Sequence, residues 1–410
     1  MPHGSPAQRS ERIRQIIDGA FETWGRSVFF HTRLDDLADR LRMTKPALYR
    51  YFASKQALLA AMEKDVLAAY EGLGRRFAEE AAGLAPAAAV DRFVAGRIAF
   101  FGAHVERFYF MVHQAATHGD GAVIRALDAQ GRLLARRLAE VPGIHDAATA
   151  AGYIRATVTF FLIRAGLRDE ALRPRRLSQV ERDDLSSLVQ GICARGYAGP
   201  RPAARPPMEA LERSCAVGLE ELQAEDPILR AVAETVAEHG FAEASMERIA
   251  RRAGLTKSSL YFHFRDRNAM FAGLLERHQR RVQEIFEDRA RSCRGSGERL
   301  YCFLVVLWSY FRAAREVPAV MNWFRYHGFR LGAGRTDAAA AARRFAFLQD
   351  AVSDGTLTSQ GLSLLHMAGH LGFVVANHMI GSQRTARGAR AADLRQIYDL
   401  FVHGIQGAQA

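Results

Sequence analysis

Two short segments of the sequence carry hydroxyl, amine, guanidinium and phenol groups at closely spaced positions. In the later segment the candidate groups belong to Ser245, Thr256, Lys257, Ser258, Ser259, Tyr261, His263 and Arg267. Amines and guanidinium groups attract phosphates, while hydroxyls and phenols hydrogen-bond phosphate oxygens and base edges. These residue types therefore favour binding of nucleic acid.

The earlier segment has a similar order of residue types with a different outer face. Lysine is rare in this chain, since only four of the 56 Lys and Arg residues are lysines, and three of those four lie in the two segments. The informative part of the net charge of +12 is therefore concentrated there. The candidate contact positions of the earlier segment are Thr44, Lys45, Pro46, Tyr49, Arg50, Tyr51 and Lys55.

Both segments belong to an internal repeat. Residues 16–58 align with residues 228–270 at a constant offset of 212, with 12 identities in 43 positions. Near the ends of the copies, residues 188–192 match residues 401–405 at an offset of 213. The chain therefore contains two copies of one domain of about 185 residues.

Apolar residues recur at spacings of three and four, and no sustained alternation indicates a strand, so we predict an all-α fold. In the second copy the pattern predicts helices at residues 228–239, 246–253 and 257–264. The last two helices and the glycine turn between them form a helix-turn-helix. The capping and turn positions are Gly240, Ser245, Gly254 and Thr256.

With this motif the sequence resembles the TetR family of transcriptional regulators. The resemblance rests on the run from Ala253 to Phe264 and on its counterpart from Thr44 to Lys55. It implies two TetR-like units, each with an N-terminal DNA-binding domain and a C-terminal helical domain for ligand binding and dimerisation. Lys45 and Lys257 would then contact a base or a phosphate at the start of each recognition helix. The phosphate contacts that the family implies fall on Tyr49, Lys55, Tyr261 and Arg267.

The first copy departs from this pattern at two glycines. Val28 stands where the second copy has Gly240, and Arg42 stands where it has the turn glycine Gly254. A non-glycine residue held left-handed costs roughly 1–2 kcal/mol. The first copy therefore either uses a different turn or has relaxed its role in DNA binding.

Two copies in one chain can pair with each other, with pairing of two chains as the alternative. The predicted pairing bundle consists of helices at 151–166, 185–194, 364–380 and 394–405; ordinary core is the other interpretation of these helices. Because the two recognition surfaces differ, an internal pair predicts a non-palindromic operator on double-stranded DNA.

Aromatic residues concentrate where the family keeps its effector pocket. They favour a small apolar or aromatic effector, although plain hydrophobic core is an equally good interpretation. His366 and His370 have the i, i+4 spacing of a metal pair, but no cysteine or carboxylate accompanies them, so no metal or cofactor is expected. The candidate effector residues are Phe101, His104, Phe108, Met111, Trp308, Phe311, Trp323, Phe324 and His327.

The domain organisation follows from the repeat and from a proline cluster near the midpoint. We predict DNA-binding domains at 9–58 and 227–271 and regulatory domains at 59–199 and 272–410. The connector, 200–226, would be an extended Pro-rich spacer followed by a helix from Met208 to Glu225.

Several functional classes find no support in the sequence. Four scattered cysteines and no visible signal peptide favour the cytoplasm, and the apolar stretch 355–383 is a buried helix rather than a membrane span because polar residues interrupt it. No hydrolase, P-loop, dinucleotide or zinc-protease motif appears, so no enzymatic activity is expected. The prediction is a ligand-responsive DNA-binding regulator, most simply a repressor. The alternative is a helical ligand-binding or protein-interaction scaffold that has lost DNA binding.

Overall fold

A computed structural model describes residues 6–25, 33–117, 121–166, 175–201, 204–222, 227–315, 317–318, 320–321, 345–385 and 388–407. Within these residues the regular structure is helical, apart from an isolated β-bridge between Ala198 and Leu357. The predicted all-α fold is confirmed.

The helices of the first copy and the connector follow one another with short breaks. They are α1 (Pro6–Gly25), α2 (Leu34–Arg40), α3 (Lys45–Tyr49), α4 (Lys55–Ala81), α5 (Pro86–Ala103), α6 (Val105–Thr117), α7 (Ala122–Leu138), α8 (Ala147–Gly166), α9 (Gln179–Arg195) and α10 (Met208–Cys215).

The second copy repeats the opening arrangement of one long helix, two short helices and a second long helix. Its helices are α11 (Pro227–Glu243), α12 (Met246–Arg252), α13 (Lys257–His263), α14 (Arg267–Ala290), α15 (Ser296–Ala313), α16 (Ala346–Ser353), α17 (Leu364–Gln383) and α18 (Ala391–Gly407).

Contacts divide the chain into two compact units. Unit 1 consists of Met1–Leu84, Arg92–Leu133 and Phe161–Ser186, and unit 2 consists of Ala85–Asp91, Leu134–Phe160 and Ser187–Ala410. The division runs through the expected regulatory domain 59–199, because parts of it share contacts with the second copy. The domain boundaries drawn from the sequence stay a prediction.

Unit 1 joins its first helix to the regulatory helices through one arginine. Arg107 of α6 donates from Nη2 to Asp18 of α1 at 2.7 Å and to Asp65 of α4 at 3.1 Å. Its guanidinium carbon also lies 4.6 Å from the centre of the Phe21 ring, and Phe21 packs edge-on against Phe110. The ion pairs and the ring contact together fix α1 against α4 and α6.

Unit 2 is built around α15, whose side chains are buried on almost every side. A helix that is apolar around its whole circumference belongs in the interior of a domain. The DNA-binding part of this unit has an apolar core of its own, to which Val320 of the regulatory half contributes a fully buried side chain. The second copy has Arg230 at the position equivalent to Asp18. The ion pair between Arg107 and Asp18 in unit 1 therefore has no counterpart at that position.

The connector helix is shorter than the sequence predicted. α10 ends at Cys215 because Ala216 adopts an extended conformation, and only a 3₁₀ turn, Leu219–Leu222, follows among the described residues. The predicted helix is therefore wrong at Ala216, and residues 223–225 of the prediction lie outside the described residues. Glu212 anchors α10 to the rest of unit 2: it accepts hydrogen bonds from Arg395 at 2.7 Å and from Tyr301 at 2.5 Å.

The four helices expected to form a bundle extend further than predicted, and they contact one another within unit 2. α8 packs against α17, where Phe160 and Phe373 lie 5.7 Å apart between ring centres. The end of α9 approaches α18 so closely that a Cβ on Gly196, which has φ of +61°, would lie 2.5 Å from the Val402 carbonyl oxygen. The Tyr197 amide donates to the Phe401 carbonyl at 2.9 Å.

Candidate nucleic-acid interface

The second helix-turn-helix is assembled by local hydrogen bonds at its helix starts. The Ser245 hydroxyl accepts from the Arg248 amide at 3.3 Å and begins α12. The Thr256 hydroxyl accepts from the Ser259 amide at 3.1 Å and begins α13. Both predicted N-caps are thus present, and they satisfy amides that a helix start leaves without partners.

The turn between α12 and α13 uses its glycine as predicted. Gly254 has φ of +69°, in the left-handed region that glycine adopts without steric cost. The Leu255 amide then returns to the Ala250 carbonyl at 2.8 Å, and Leu260 buries its whole side chain in the core below. The recognition helix is therefore held on the core by one face, and its other face remains outside.

The first helix of this unit differs from the prediction. α11 was expected to end at Gly240, yet the helix runs on to Glu243. A glycine inside a helix costs about 1 kcal/mol relative to alanine and does not by itself end the helix. The Val28 counterpart lies outside the described residues.

The outer face of α13 carries the polar groups that the sequence proposed for DNA contact. Lys257, Ser258 and His263 are exposed, Tyr261 is 46% exposed, and Ser259 is half-buried at the helix start. Arg267 begins α14 and is half-buried, with its guanidinium 5.9 Å from the Phe271 ring centre; burial lowers the pKa of Arg267 from its ordinary value.

Phe262 is a candidate contact residue that the sequence analysis did not include. Its side chain is 89% exposed on α13, between Tyr261 and His263. Single exposed apolar side chains are common on protein surfaces, so it is the position of this ring between two candidate contact residues that makes it a candidate. A signal was available in the sequence, because the i, i+4 spacing of the inward Leu260 and Phe264 places Phe262 on the opposite side.

The first helix-turn-helix keeps the same turn without glycine. Arg42 has φ of +51°, so it adopts the left-handed conformation that Gly254 adopts in the second copy. The Met43 amide returns to the Ala38 carbonyl at 2.9 Å, which closes the turn in the same way. The different turn that the sequence offered as one alternative is therefore wrong. The other alternative, a relaxed role in DNA binding, stays a prediction.

The first recognition helix is shorter than the second, and its lysine forms an ion pair within unit 1. α3 covers Lys45–Tyr49, capped by Thr44, whose hydroxyl accepts from the Ala47 amide at 3.3 Å. Lys45 Nζ lies 3.0 Å from Asp35 Oδ1 at the start of α2. A DNA phosphate would therefore compete with Asp35 for this amine.

The remaining candidates of the first copy lie on the same side of α3 or just after it. Pro46 and Arg50 are exposed, and Tyr49 is 43% exposed. Tyr51 and Lys55 are half-buried, and the Arg9 guanidinium lies 6.0 Å from the Tyr51 ring centre. Each unit thus brings its own set of candidate DNA contacts together.

Residue pairs conserved between the copies brace the long first helix of each unit against the helix that follows it. In unit 1, Arg40 forms an ion pair with Glu22. In unit 2, Arg252 forms ion pairs with Glu238 and, at 3.8 Å, with Glu234, and Arg252 holds the pKa of Glu238 below its usual value. The repeated Arg and Glu identities therefore hold the first short helix of each motif against the long helix that precedes it.

The proposed effector residues of the first copy lie close together in unit 1. Phe101 and Phe108 are buried with ring centres 5.3 Å apart, and Met111 is buried on the same helix as Phe108. His104 is half-buried beside Phe100. Its pKa is lowered mainly by burial and, to a smaller extent, by the positive charge of Arg107.

In the second copy only part of the proposed effector set can be placed. Trp308 and Phe311 are buried on α15, and the Trp308 ring stacks on His378 with centres 5.2 Å apart. Trp323, Phe324 and His327 lie outside the described residues. The effector site therefore stays a prediction.

A groove lies beside the first helix of unit 1. A groove of about 450 Å³ between α1 and α2 is lined by Asp18, Glu22 and Arg40, which are members of the ion pairs above. Histidine, cysteine and acidic side chains form no group of three suited to a metal ion in the residues that the structure covers. None of the described helices has the length and apolar character needed to cross a membrane.

Comparison with known proteins identifies the two helix-turn-helix regions independently. The model of the family described as "Bacterial regulatory proteins, tetR family" matches residues 16–62 and, a second time, residues 228–274. Among solved structures, the chain is similar to the fatty acid degradation regulator FadR from Bacillus halodurans, with 16% identity over 43% of this chain and 93% of that chain, at a TM-score of 0.35. No curated protein matches the sequence.

Proposed function

We propose that the chain is a DNA-binding transcriptional regulator of the tetR family with two such copies in tandem, and that it is a repressor that a small-molecule effector releases from its operator. The observation that carries this proposal is the outer face of α13. Its core side is fixed by Leu260, while its amine, hydroxyl, phenol and imidazole groups face outward from a capped, braced helix. Such a face provides the phosphate and base-edge contacts that the major groove requires.

We further propose that the two copies pair within one chain and bind one operator together. Support comes from unit 2, where α8 of the first copy packs against α17 of the second and the end of α9 meets α18. Helix-turn-helix proteins need two recognition helices spaced to match one turn of DNA, and two copies in one chain supply both. Because α3 and α13 differ in length and outer residues, the operator would be non-palindromic.

An apolar or aromatic effector is favoured by the side chains around α5, α6 and α15. The buried aromatic cluster of Phe101 and Phe108 and the stacked Trp308 and His378 provide apolar surface with few polar groups, as small-molecule sites do. Occupation of either cluster would change the packing of helices that contact a DNA-binding part. In unit 1 that connection runs through Arg107, and in unit 2 it runs through Val320.

DNA affinity measured against salt concentration tests the proposed function. The full chain should bind its own promoter fragment with a steep inverse dependence on salt, and should prefer it over DNA of unrelated sequence. Lys257→Ala should weaken binding and reduce the salt slope by about one phosphate contact. Absence of binding at low salt would instead favour the scaffold function.

Footprinting tests the internal pair. One chain should protect two unlike half-sites on one face of the duplex, and stoichiometry at saturation should be one chain per operator. A perfect inverted repeat bound by two chains would contradict internal pairing. Genomic binding maps with and without candidate apolar ligands would then identify the effector and the direction of control.

A further inference from the structure

Three of the four cysteines, far apart in the sequence, come together in unit 2. Cys215 is the last residue of α10, Cys293 lies in the turn between α14 and α15, and Cys302 lies on α15. The Cys302 thiol is in hydrogen-bond contact with both Cys215 and Cys293. All three side chains are buried and none is in a disulfide. We call these three residues the thiol cluster.

The contact between Cys215 and Cys302 follows from the way α10 packs on α15. Glu212 and Cys215 are three residues apart, so they share one face of α10. Glu212 accepts from the Tyr301 hydroxyl at 2.5 Å, and Cys302 is the next residue of α15. Beyond the end of α10, the Val217 amide donates to a hydroxyl of α15 at 2.9 Å. The chain is therefore fixed to α15 on both sides of Cys215.

The surroundings of Cys215 favour its thiolate form. Cys302 donates to the Cys215 sulfur, the Ser214 hydroxyl lies 3.6 Å from it, and Arg289 contributes a positive charge. These interactions lower the pKa of Cys215 although burial opposes them, whereas the pKa of Cys302 is raised, chiefly by its hydrogen bond to Cys215. Because the thiolate is the nucleophile in thiol chemistry, Cys215 is the sulfur that reacts first.

Cys215 lies close to the protein surface although its side chain is covered. The side chain is 1% exposed, while Ser214 and Ala216 on either side of it are exposed. The terminal turn of a helix opens more readily than its middle. Opening of the last turn of α10 therefore gives a small oxidant access to the sulfur.

We propose that Cys215 and Cys302 form a modification site at which a hydroperoxide oxidises the two thiols to a disulfide. The Cys215 thiolate attacks the peroxide, so that an S–O bond forms and the O–O bond breaks. The released alkoxide takes a proton and leaves as an alcohol, or as water when the oxidant is hydrogen peroxide.

The second step joins the two sulfurs. Cys302 gives up its proton and attacks the sulfur of the Cys215 sulfenic acid, so that an S–S bond forms and the S–O bond breaks. The hydroxide that leaves takes the proton from Cys302 and becomes water. Over both steps two electrons pass from the two sulfurs to the peroxide.

The disulfide joins the chain segments on either side of the second DNA-binding part. Residues 216–301 lie between the two cysteines and include all of α11, α12, α13 and α14. An S–S bond is about 2.05 Å long, shorter than a hydrogen-bond contact between two sulfurs, so the end of α10 must move toward α15. Oxidation therefore ties the start of that part to its end. The inference goes beyond the proposed function, because oxidation of the thiols requires no DNA.

Peptide mapping of the oxidised full chain tests the proposal. The reduced protein is treated with hydrogen peroxide, its free thiols are blocked with iodoacetamide, and linked peptides are identified by mass spectrometry. A Cys215–Cys302 link within one chain should appear and should be reversed by dithiothreitol. Cys193 is the internal control: it is buried on α9 and burial raises its pKa, so it should react at least tenfold more slowly.

Cysteine variants separate the two roles. Cys302→Ala should abolish the disulfide and leave the sulfenic acid of Cys215, which dimedone traps. Cys293→Ala is the matched control within the thiol cluster, and in this variant the Cys215–Cys302 link should still form.

The charge of Arg289 is tested by the rate of oxidation. Arg289→Gln should slow the loss of the Cys215 thiol several-fold, and Arg289→Lys, which keeps the charge, should retain most of the rate. Arg291→Gln is the control, because Arg291 is exposed and pairs with Asp288 at 3.5 Å. An equal decrease in Arg291→Gln and Arg289→Gln would contradict the role of Arg289.

The outcomes separate this inference from the proposed function. Absence of the Cys215–Cys302 link in the folded wild type, a link through Cys293 instead, links only between chains, or equally fast oxidation of Cys193 would overturn the proposal. Where circular dichroism shows that a variant has not folded, the wild type decides: its oxidation should reach half its maximal rate well below pH 8.5, the pKa of an ordinary thiol, and a rate that rises only above that pH would overturn the proposal. If the disulfide forms but no promoter DNA is bound, only the proposed function fails.

Discussion

Arg42 and Gly254 hold the same left-handed turn in the two helix-turn-helix motifs, at φ of +51° and +69°. Glycine adopts this conformation freely, whereas an L-residue with a side chain is strained by its Cβ. The first copy has therefore kept the geometry of the turn and accepted its conformational cost. The turn between α2 and α3 is thus closed in the same way as the turn between α12 and α13, in the absence of a glycine.

Arg42→Gly should raise the free energy of unfolding by about 0.5–1 kcal/mol, since relief of strain exceeds the entropy that glycine adds to the unfolded chain. Urea denaturation monitored by circular dichroism would measure the change. Gly254→Ala is the matched control: no atom lies within 4 Å of the added Cβ, so only the backbone conformation changes. It should destabilise by about 1 kcal/mol; an equal response of both variants would contradict the strain argument.

Asp35→Asn should strengthen operator binding a few-fold at low salt, because it releases Lys45 from an ion pair that competes with phosphate. The gain should shrink as salt rises, since both interactions are screened. Glu247→Gln is the control at the equivalent position, where the carboxylate pairs with Arg251 at 3.5 Å. Fluorescence anisotropy with a labelled operator would measure both, and a gain in Glu247→Gln as large as in Asp35→Asn would point to general loss of negative charge.

Phe262→Ala should leave stability within about 0.5 kcal/mol of the wild type, because the ring is 89% exposed. Operator affinity should fall about tenfold, with loss of preference at one thymine, since an exposed ring on a recognition helix can contact the thymine methyl group. Leu219→Ala, another exposed apolar residue, should leave DNA binding unchanged. Selection of binding sites from randomised DNA would show the change in preference.

Local signals in the sequence were sufficient to predict the caps and the turn of the second helix-turn-helix. Ser245, Thr256 and Gly254 act through atoms within a few residues of themselves, and each occupies its predicted place. A single local signal was misleading at Gly240, where the helix continues, because packing of a helix outweighs the modest penalty of one glycine. The predicted length of the connector helix was wrong because apolar periodicity alone does not make a helix. Periodic apolar residues continue past Cys215, but Ala216 is extended and Leu219 is exposed.

The interface between the copies could be predicted only in outline. Helical periodicity identified the four helices, yet Thr157, a hydrogen-bond partner of His370, lies 213 residues away in the sequence, and no local pattern reveals that contact. The histidine spacing that suggested a metal pair instead separates His366, bonded to Ser363, from His370, bonded across the interface. Such contacts depend on the register of distant helices, which sequence periodicity does not fix.

Acid should destabilise unit 2 through His278. This histidine is buried on α14 with Nδ1 2.5 Å from the Tyr310 hydroxyl, and burial, with a smaller effect of Arg277, lowers its pKa to about 4. In the unfolded chain its pKa returns to about 6.5. As pH falls below that value, the histidine is protonated in the unfolded state while it stays neutral in the folded state, which favours unfolding. The contribution of the neutral, buried His278 to the free energy of unfolding is therefore fully present above pH 6.5 and is lost as pH falls toward 4.

Replacement of the titrating ring isolates this effect from other groups. His278→Gln retains a hydrogen-bonding side chain for Tyr310 but binds no proton, so the variant should lose less stability between pH 7 and pH 5 than the wild type, by on the order of 1–2 kcal/mol. His403, whose pKa burial also lowers, contributes equally to both proteins and cancels in the difference. Parallel profiles for His278→Gln and the wild type would show that the proton uptake occurs elsewhere.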